Sequence, residues 1–249
     1  MENEQQKVFL LIADISGYTK FMTTRRKSLA HAQGIITELM DSIISEIKIP
    51  LHIIEIEGDA VYFYGVAEPG VYTWEQIVTI ISQKLLVFFH VFYRRLNELK
   101  HSVMCHCSAC DGISDLKLKI IVNIGDALFY KIASFSKLSG PDVILLHRLL
   151  KNSIEASEYL LMTERAFIEI GQNIEFETER RVEIYDDFGP VNIYVNYPNL
   201  TNAATKRVEN EYHKFSFFKK LKQTMKIGIH GMLIMVGLKK QQKFRNLPG

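Results

Sequence analysis

Asp14 and Asp59 are the residues of this 249-residue chain whose settings most suggest chemistry. Asp14 closes a continuous apolar run, residues 8–13, and is followed at once by Ile15-Ser16-Gly17. Asp59 sits in Glu57-Gly58-Asp59-Ala60, between the strand-like segments 51–56 and 61–66. A buried strand that breaks at a glycine makes backbone amides available at its end. If the two strands are neighbours, the carboxylates converge at one end of a sheet, beside the amides of Ile15, Ser16, Gly17, Tyr18 and Thr19. Hard cations such as Mg2+ or Mn2+ take carboxylate oxygens and turn amides take phosphate oxygens, so the pair suits a metal ion holding a polyphosphate. The plainer alternative is that Asp14 caps the next segment and Asp59 only forms its turn.

All three cysteines fall in Cys105-His106-Cys107-Ser108-Ala109-Cys110, with His101 four residues upstream. Three thiolates and an imidazole could complete a tetrahedral zinc site, although the second Cys pair of a zinc knuckle is missing. A redox or regulatory thiol pair and an unliganded polar loop are the other readings. An odd cysteine count argues against a disulfide framework. The chain has neither a Gly-x-x-x-x-Gly-Lys-Ser/Thr loop nor a Gly-x-Ser-x-Gly elbow.

The elements that must position these groups follow from periodicity. Residues 8–13 predict a buried strand, and apolar spacings of three and four from Leu29 to Ile47 predict a helix stopped by Pro50. Residues 51–56 and 61–66 predict a hairpin turning at Gly58-Asp59. Thr73, with Gln76 three residues on, predicts a capped helix running through Leu96. Residues 116–124 and 127–132 predict a strand pair turning at Gly125-Asp126, and 142–151 a helix. Segments 159–162, 174–185 and 191–197 predict further strands. Strands, hairpins and helical crossovers in this order predict an α+β domain over residues 1–200: a mixed, mainly antiparallel sheet with helices on one face, of ferredoxin-like type.

Residues 201–249 form a second region of different character, with 11 Lys/Arg against Glu209 and Glu211, leaving 19 basic and 26 acidic residues in the first 200. Phe215, Phe217, Phe218, Leu221 and Met225 alternate there with Lys219, Lys220, Lys222 and Lys226, which predicts a basic, amphipathic helical tail. It could pack on its own domain or a dimer partner, lie on an anionic membrane surface, or, less suited, bind nucleic acid. Residues 1–7 are polar and the six apolar residues after them are too short for a signal-peptide core, so a cytoplasmic protein is expected, with the tail able to place it on the inner membrane face. No stretch of roughly 20 apolar residues predicts a transmembrane helix.

Phe9-Leu10-Leu11-Ile12-Ala13-Asp14-Ile15-Ser16-Gly17-Tyr18-Thr19-Lys20-Phe21 resembles the first-strand motif of class III adenylyl/guanylyl cyclases, an apolar strand entering Asp-Ile-x-Gly-Phe/Tyr-Thr. Ile56-Glu57-Gly58-Asp59-Ala60-Val61 resembles their second metal motif, Ile-Gly-Asp-Ala. The resemblance implies the cyclase sandwich, a purine nucleoside triphosphate, and Mg2+ or Mn2+ on Asp14 and Asp59 with the Ile15 carbonyl as a further ligand. Glu55, four positions before Asp59, falls where that family selects its purine, and a carboxylate there resembles the guanylyl pattern; a solvated strand face is the other reading. The second purine-reading position falls near Lys137.

Asp142-Val143-Ile144-Leu145-Leu146-His147-Arg148 aligns with the family's Val-Asn-x-Ala-x-Arg helix. It keeps the catalytic Arg148, but Ile144 replaces the ribose-orienting Asn, and isoleucine cannot hydrogen-bond a sugar. No counterpart of the transition-state lysine is found. Because class III sites form between two domains, the resemblance implies a homodimer with Arg148 acting across it. Over residues 8–197 the chain is similar to an uncharacterised bacterial family of cyclase-like domains. Glu57 through Tyr64, the Cys cluster, Leu138 through Asn152 and Tyr185-Asp186-Asp187-Phe188-Gly189 carry that similarity. Two functions are therefore expected to compete: a divergent nucleotide-binding cyclase domain with an incomplete catalytic set, and a non-catalytic sensor or interaction module that keeps the fold.

Overall fold

A computed structural model describes residues 4–24, 29–46, 50–102, 108–133, 135–174 and 176–198. Cys105, Cys107 and the basic tail lie outside them. The elements are β1 (Glu4–Ser16), α1 (Tyr18–Thr24), α2 (Leu29–Glu46), β2 (His52–Glu57), β3 (Ala60–Gly65), α3 (Trp74–Ser102), α4 (Ser108–Asp111), β4 (Lys117–Ile132), β5 (Phe135–Ser139), α5 (Pro141–Arg148), β6 (Tyr159–Thr163), α6 (Glu164–Ile170), β7 (Glu179–Tyr185) and β8 (Gly189–Asn196). They build one sheet in the order β2-β3-β1-β4-β6-β8-β7, with β5 paired to β4. Among these pairings only β4 with β6 is parallel. The mixed, mainly antiparallel α+β architecture is the one the element order predicts.

β1 is apolar without interruption because both of its faces are covered. Phe9, Leu11, Ala13 and Ile15 enter the larger core with α2, α3 and α6, while Val8, Leu10 and Ile12 enter a second core with Leu146 and Leu149. α3 is long and apolar enough to cross a membrane by length and composition. Instead it lays Ile77, Ile81, Leu85, Phe88, Phe92, Leu96 and Leu99 along one stripe of the larger core, at helical spacing. Its predicted capping box forms: the Thr73 amide donates to the Gln76 side chain at 2.9 Å, and the Gln76 amide to Thr73 Oγ1 at 3.3 Å.

Three expectations are corrected. First, the chain does not turn at Gly125-Asp126: β4 runs unbroken from Lys117 to Ile132, and the return to β5 comes at Ala133, whose φ is 54°. Gly125 serves the packing of α5, since a Cβ there would lie 2.0 Å from Asp142 Cγ, and the Asp142 carboxylate accepts the Asp126 amide at 2.8 Å. Second, the helices do not share one face; α5 covers the side opposite α2, α3 and α6. Third, residues 164–170 form α6, capped by Thr163 Oγ1 accepting from the Ala166 amide, so β7 begins only at Glu179.

Two further ties fix the α5 side. Asn123, 1% exposed, donates to the Asp142 carbonyl at 3.0 Å and accepts from Thr163 Oγ1 at 2.8 Å, joining β4, α5 and β6. The far part of β4, with β5, curls over this face. Phe129 meets Tyr64 of β3 with ring centroids 5.4 Å apart, and Lys137 of β5 reaches Glu55 of β2 at 2.8 Å, although β3 and β1 stand between β2 and β4 in the sheet.

Candidate functional site

The register brings the two aspartates together. Asp14 lies cross-strand from Ala60, the residue after Asp59, and the Ile15 amide donates to the Asp59 carbonyl at 3.2 Å. Gly58, at φ +62°, supplies the left-handed turn residue that lets β2 and β3 close this tightly. Across the α5 face the registers align Glu57, Ala60, Asp14, Lys119 and Tyr159 in one row over β2, β3, β1, β4 and β6.

The electrostatics follow from crowding acids in a half-buried corner. Burial, then the charge of Asp14, pushes the Asp59 carboxyl up to about 7; Lys119 and the turn's own amide pull the other way. Burial also raises Asp14, with Lys119 opposing. Tyr18 stands close enough for Asp59 to add to the upward shift that burial gives its phenol. A proton on one of them, or a cation between them, eases two adjacent carboxylates that resist ionising together, and their oxygen-only donor set fits Mg2+ or Mn2+.

The β1–α1 turn is tightly fixed. Gly17 has φ +89°, and a Cβ there would come within 3.2 Å of the Asp115 carbonyl oxygen. The Phe21 amide donates to the Gly17 carbonyl, starting α1 immediately. Of the amides expected to face a phosphate, that of Ile15 is engaged with Asp59. Those of Gly17, Tyr18 and Thr19 open the helix, where first-turn amides have no intrahelical acceptor.

Glu55 and Lys137 form an ion pair at 2.8 Å, each about one-third exposed. Arg148 is not brought to the aspartates within one chain. Its guanidinium holds Asp187 at 2.7 Å in the β7–β8 turn, the opposite end of β8 from Asn196, which pairs with Leu160, the neighbour of Tyr159. The length of β8, roughly 23 Å at strand rise, separates the two ends. Ile144 is 52% exposed on α5. Of the proposed zinc ligands, His101 Nδ1 donates back to the Asn97 carbonyl at 2.8 Å and Cys110 packs against the larger core. Among the described residues no group of three or more His, Cys, Asp or Glu could hold a metal ion.

Sequence reasoning missed Lys119, whose ammonium lies over the Tyr159 ring at 5.4 Å and acts on both aspartates. Its signal was a pair of lysines, Lys117 and Lys119, breaking an otherwise apolar strand. Only the strand register places one of them beside Asp14.

Comparison with known proteins bears on the fold. A family model described as "Protein of unknown function (DUF2652)" matches residues 36–159. An uncharacterised protein of Mycobacterium tuberculosis is 26% identical over 205 residues, 82% of this chain and 91% of that one. Among solved structures, the adenylyl cyclase CyaB from P. aeruginosa superposes with a TM-score of 0.61 at 15% identity, covering 78% of this chain and 95% of that one. The guanylyl cyclase Cya2 gives 0.56 at 14%, covering 81% and 98%. The guanylate cyclase domain of RhGC from Catenaria anguillulae, in complex with GTP, gives 0.52 at 15%, covering 78% and 98%.

Proposed function

Because the chain has the fold of class III adenylyl and guanylyl cyclase domains, we propose that it is a divergent member of that fold that binds a purine nucleoside triphosphate with Mg2+ or Mn2+. The observation that carries this reading is the convergence of Asp14 and Asp59, with Asp59 pushed up to about 7 partly by its neighbour. A divalent cation between them would neutralise triphosphate charge. The chain's own groups would do the rest: the amides of Gly17, Tyr18 and Thr19 and the Lys119 ammonium would hold phosphate oxygens. Glu55 and Lys137 present an acceptor and a donor side by side, as the edge of a purine requires.

Two residues of α5 argue against turnover. Ile144 offers no hydrogen bond to a ribose, and Arg148 is committed to Asp187 within its own chain. Positioning and charge stabilisation supply most of the catalysis in phosphoryl transfer, so losing such groups costs orders of magnitude in rate. These two residues favour the second reading, a nucleotide sensor without turnover. A homodimer would set α5 of one chain, with Arg148, against the cation site of the other. The basic segment 201–249 would serve this domain by contacting its own acidic body or an anionic membrane surface, with the protein in the cytoplasm.

The test is titration of the whole chain with non-hydrolysable GTP and ATP analogues, with and without Mn2+, followed by an assay for cyclic product. Binding should require Mn2+ and weaken at least about 30-fold in Asp14→Ala, which removes a charged ligand. Cyclic product should be absent or slow. Binding that ignores both Mn2+ and Asp14→Ala overturns the proposal.

A further inference from the structure

Tyr62 joins the cation end of the sheet to α5. It is 3% exposed on β3, cross-strand from Glu55 of β2 and Ile12 of β1. Its ring stacks on His147 of α5, with centroids 4.7 Å apart and planes 23° from parallel. Its hydroxyl donates to Glu57 Oε2 at 3.3 Å. Glu57 opens the turn that carries Asp59 and pairs across it with Ala60. Burial raises the phenol's pKa, and the charges of Glu57, Glu55 and Asp14 add to the shift, so the hydroxyl keeps its proton and remains a donor among three carboxylates.

The turn has reason to need this tether. Asp14 and Asp59 repel, and the one backbone bond described from β1 to the turn residues runs from the Ile15 amide to the Asp59 carbonyl. A ligand set held in place before the cation arrives binds it more tightly, because less ordering remains to be done on binding. We propose that Tyr62, held beneath His147, is a positioning residue for the cation site: through Glu57 it sets the β2–β3 turn so that Asp59 meets Asp14. This inference rests on the cation reading of Asp14 and Asp59. It makes α5 a second determinant of cation affinity without any α5 residue touching the ion.

The contact is longer than the usual 2.7–2.8 Å for O–H···O, so the effect is modest. Free Mn2+ is measured by electron paramagnetic resonance in titrations of the whole chain at pH 8. Tyr62→Phe, which keeps the stacked ring, and Glu57→Ala should each weaken Mn2+ binding about 3- to 10-fold. Tyr62→Phe made in the Glu57→Ala background should change nothing further, since the partner is already gone. His147→Ala should weaken binding and His147→Phe restore it, a check that stands even if Tyr62→Phe fails to fold. Wild-type binding that Tyr62→Phe leaves unchanged, or single effects that simply add, would defeat this inference alone. Wild-type protein that binds no Mn2+ would defeat the cation reading and this inference with it.

Discussion

Asp59→Asn should make the metal-free protein more stable at neutral pH while removing at least about two orders of magnitude of Mn2+ affinity. The two effects share one cause. The Asp59 carboxyl titrates near 7 because burial and Asp14 disfavour its charge. A carboxyl whose folded value is raised above the ordinary one binds more protons folded than unfolded. Its contribution to stability is therefore present at low pH and is lost as pH rises from about 4 through about 7. An amide mimics the protonated acid, so the gain from Asp59→Asn should be full at pH 8 and vanish below about pH 4. The group is partly solvated, which holds the gain to about 1–2 kcal/mol, a rise of roughly 2–6 °C in Tm. A variant that loses stability at pH 8 would contradict the burial and repulsion that disfavour the charge on Asp59.

Gly125→Ala carries the largest expected effect on folding. Its Cβ would fall 2.0 Å from Asp142 Cγ and 2.4 Å from Asp142 Cβ, so the whole short side chain, not only its tip, must leave. With it goes the bond from the Asp126 amide at 2.8 Å, and α5 is pulled from the Asn123 side chain that holds its first turn at 3.0 Å. Overpacking together with an orphaned, half-buried amide costs about 2–4 kcal/mol, a fall of roughly 5–15 °C in Tm. Replacing Asp142 by alanine as well should recover part of the loss, because the clash is then gone. Additive losses in the double variant would show that the glycine is needed for another reason.

The same glycine explains where the sequence misleads. Gly125-Asp126 has the composition of a hairpin turn, but its cause lies at Asp142, which reaches β4 only once α5 has crossed the sheet face. No local signal carries that contact. By contrast, β1, α2, β2, β3 and α3 are legible because each is decided by its own periodicity and punctuation, including Thr73 with Gln76, and Pro50. Asp14 and Asp59 are legible for the same reason: one stands where an apolar run breaks and the other in a Gly-Asp turn between two strands. Lys119, Tyr62 and His147 are not, because their importance depends on strand register and on the face that α5 covers. Arg148 sits on a helix, as its segment predicts, yet its partner Asp187 comes from a turn 39 residues later. α6 was hidden in a seven-residue stretch too short to show helical periodicity.

The most direct test of the account is the affinity for Mn2+ of wild type and Asp14→Ala at pH 8 and pH 6, with no nucleotide present. If the cation sits between the two aspartates, it competes with the proton on Asp59. Wild-type affinity should then drop about 10-fold between pH 8 and pH 6, as expected for a group titrating near 7, and Asp14→Ala should bind weakly at both. Equal affinity at the two pH values, or an Asp14→Ala protein that binds as wild type does, would mean that these carboxylates meet for a reason other than holding a metal ion.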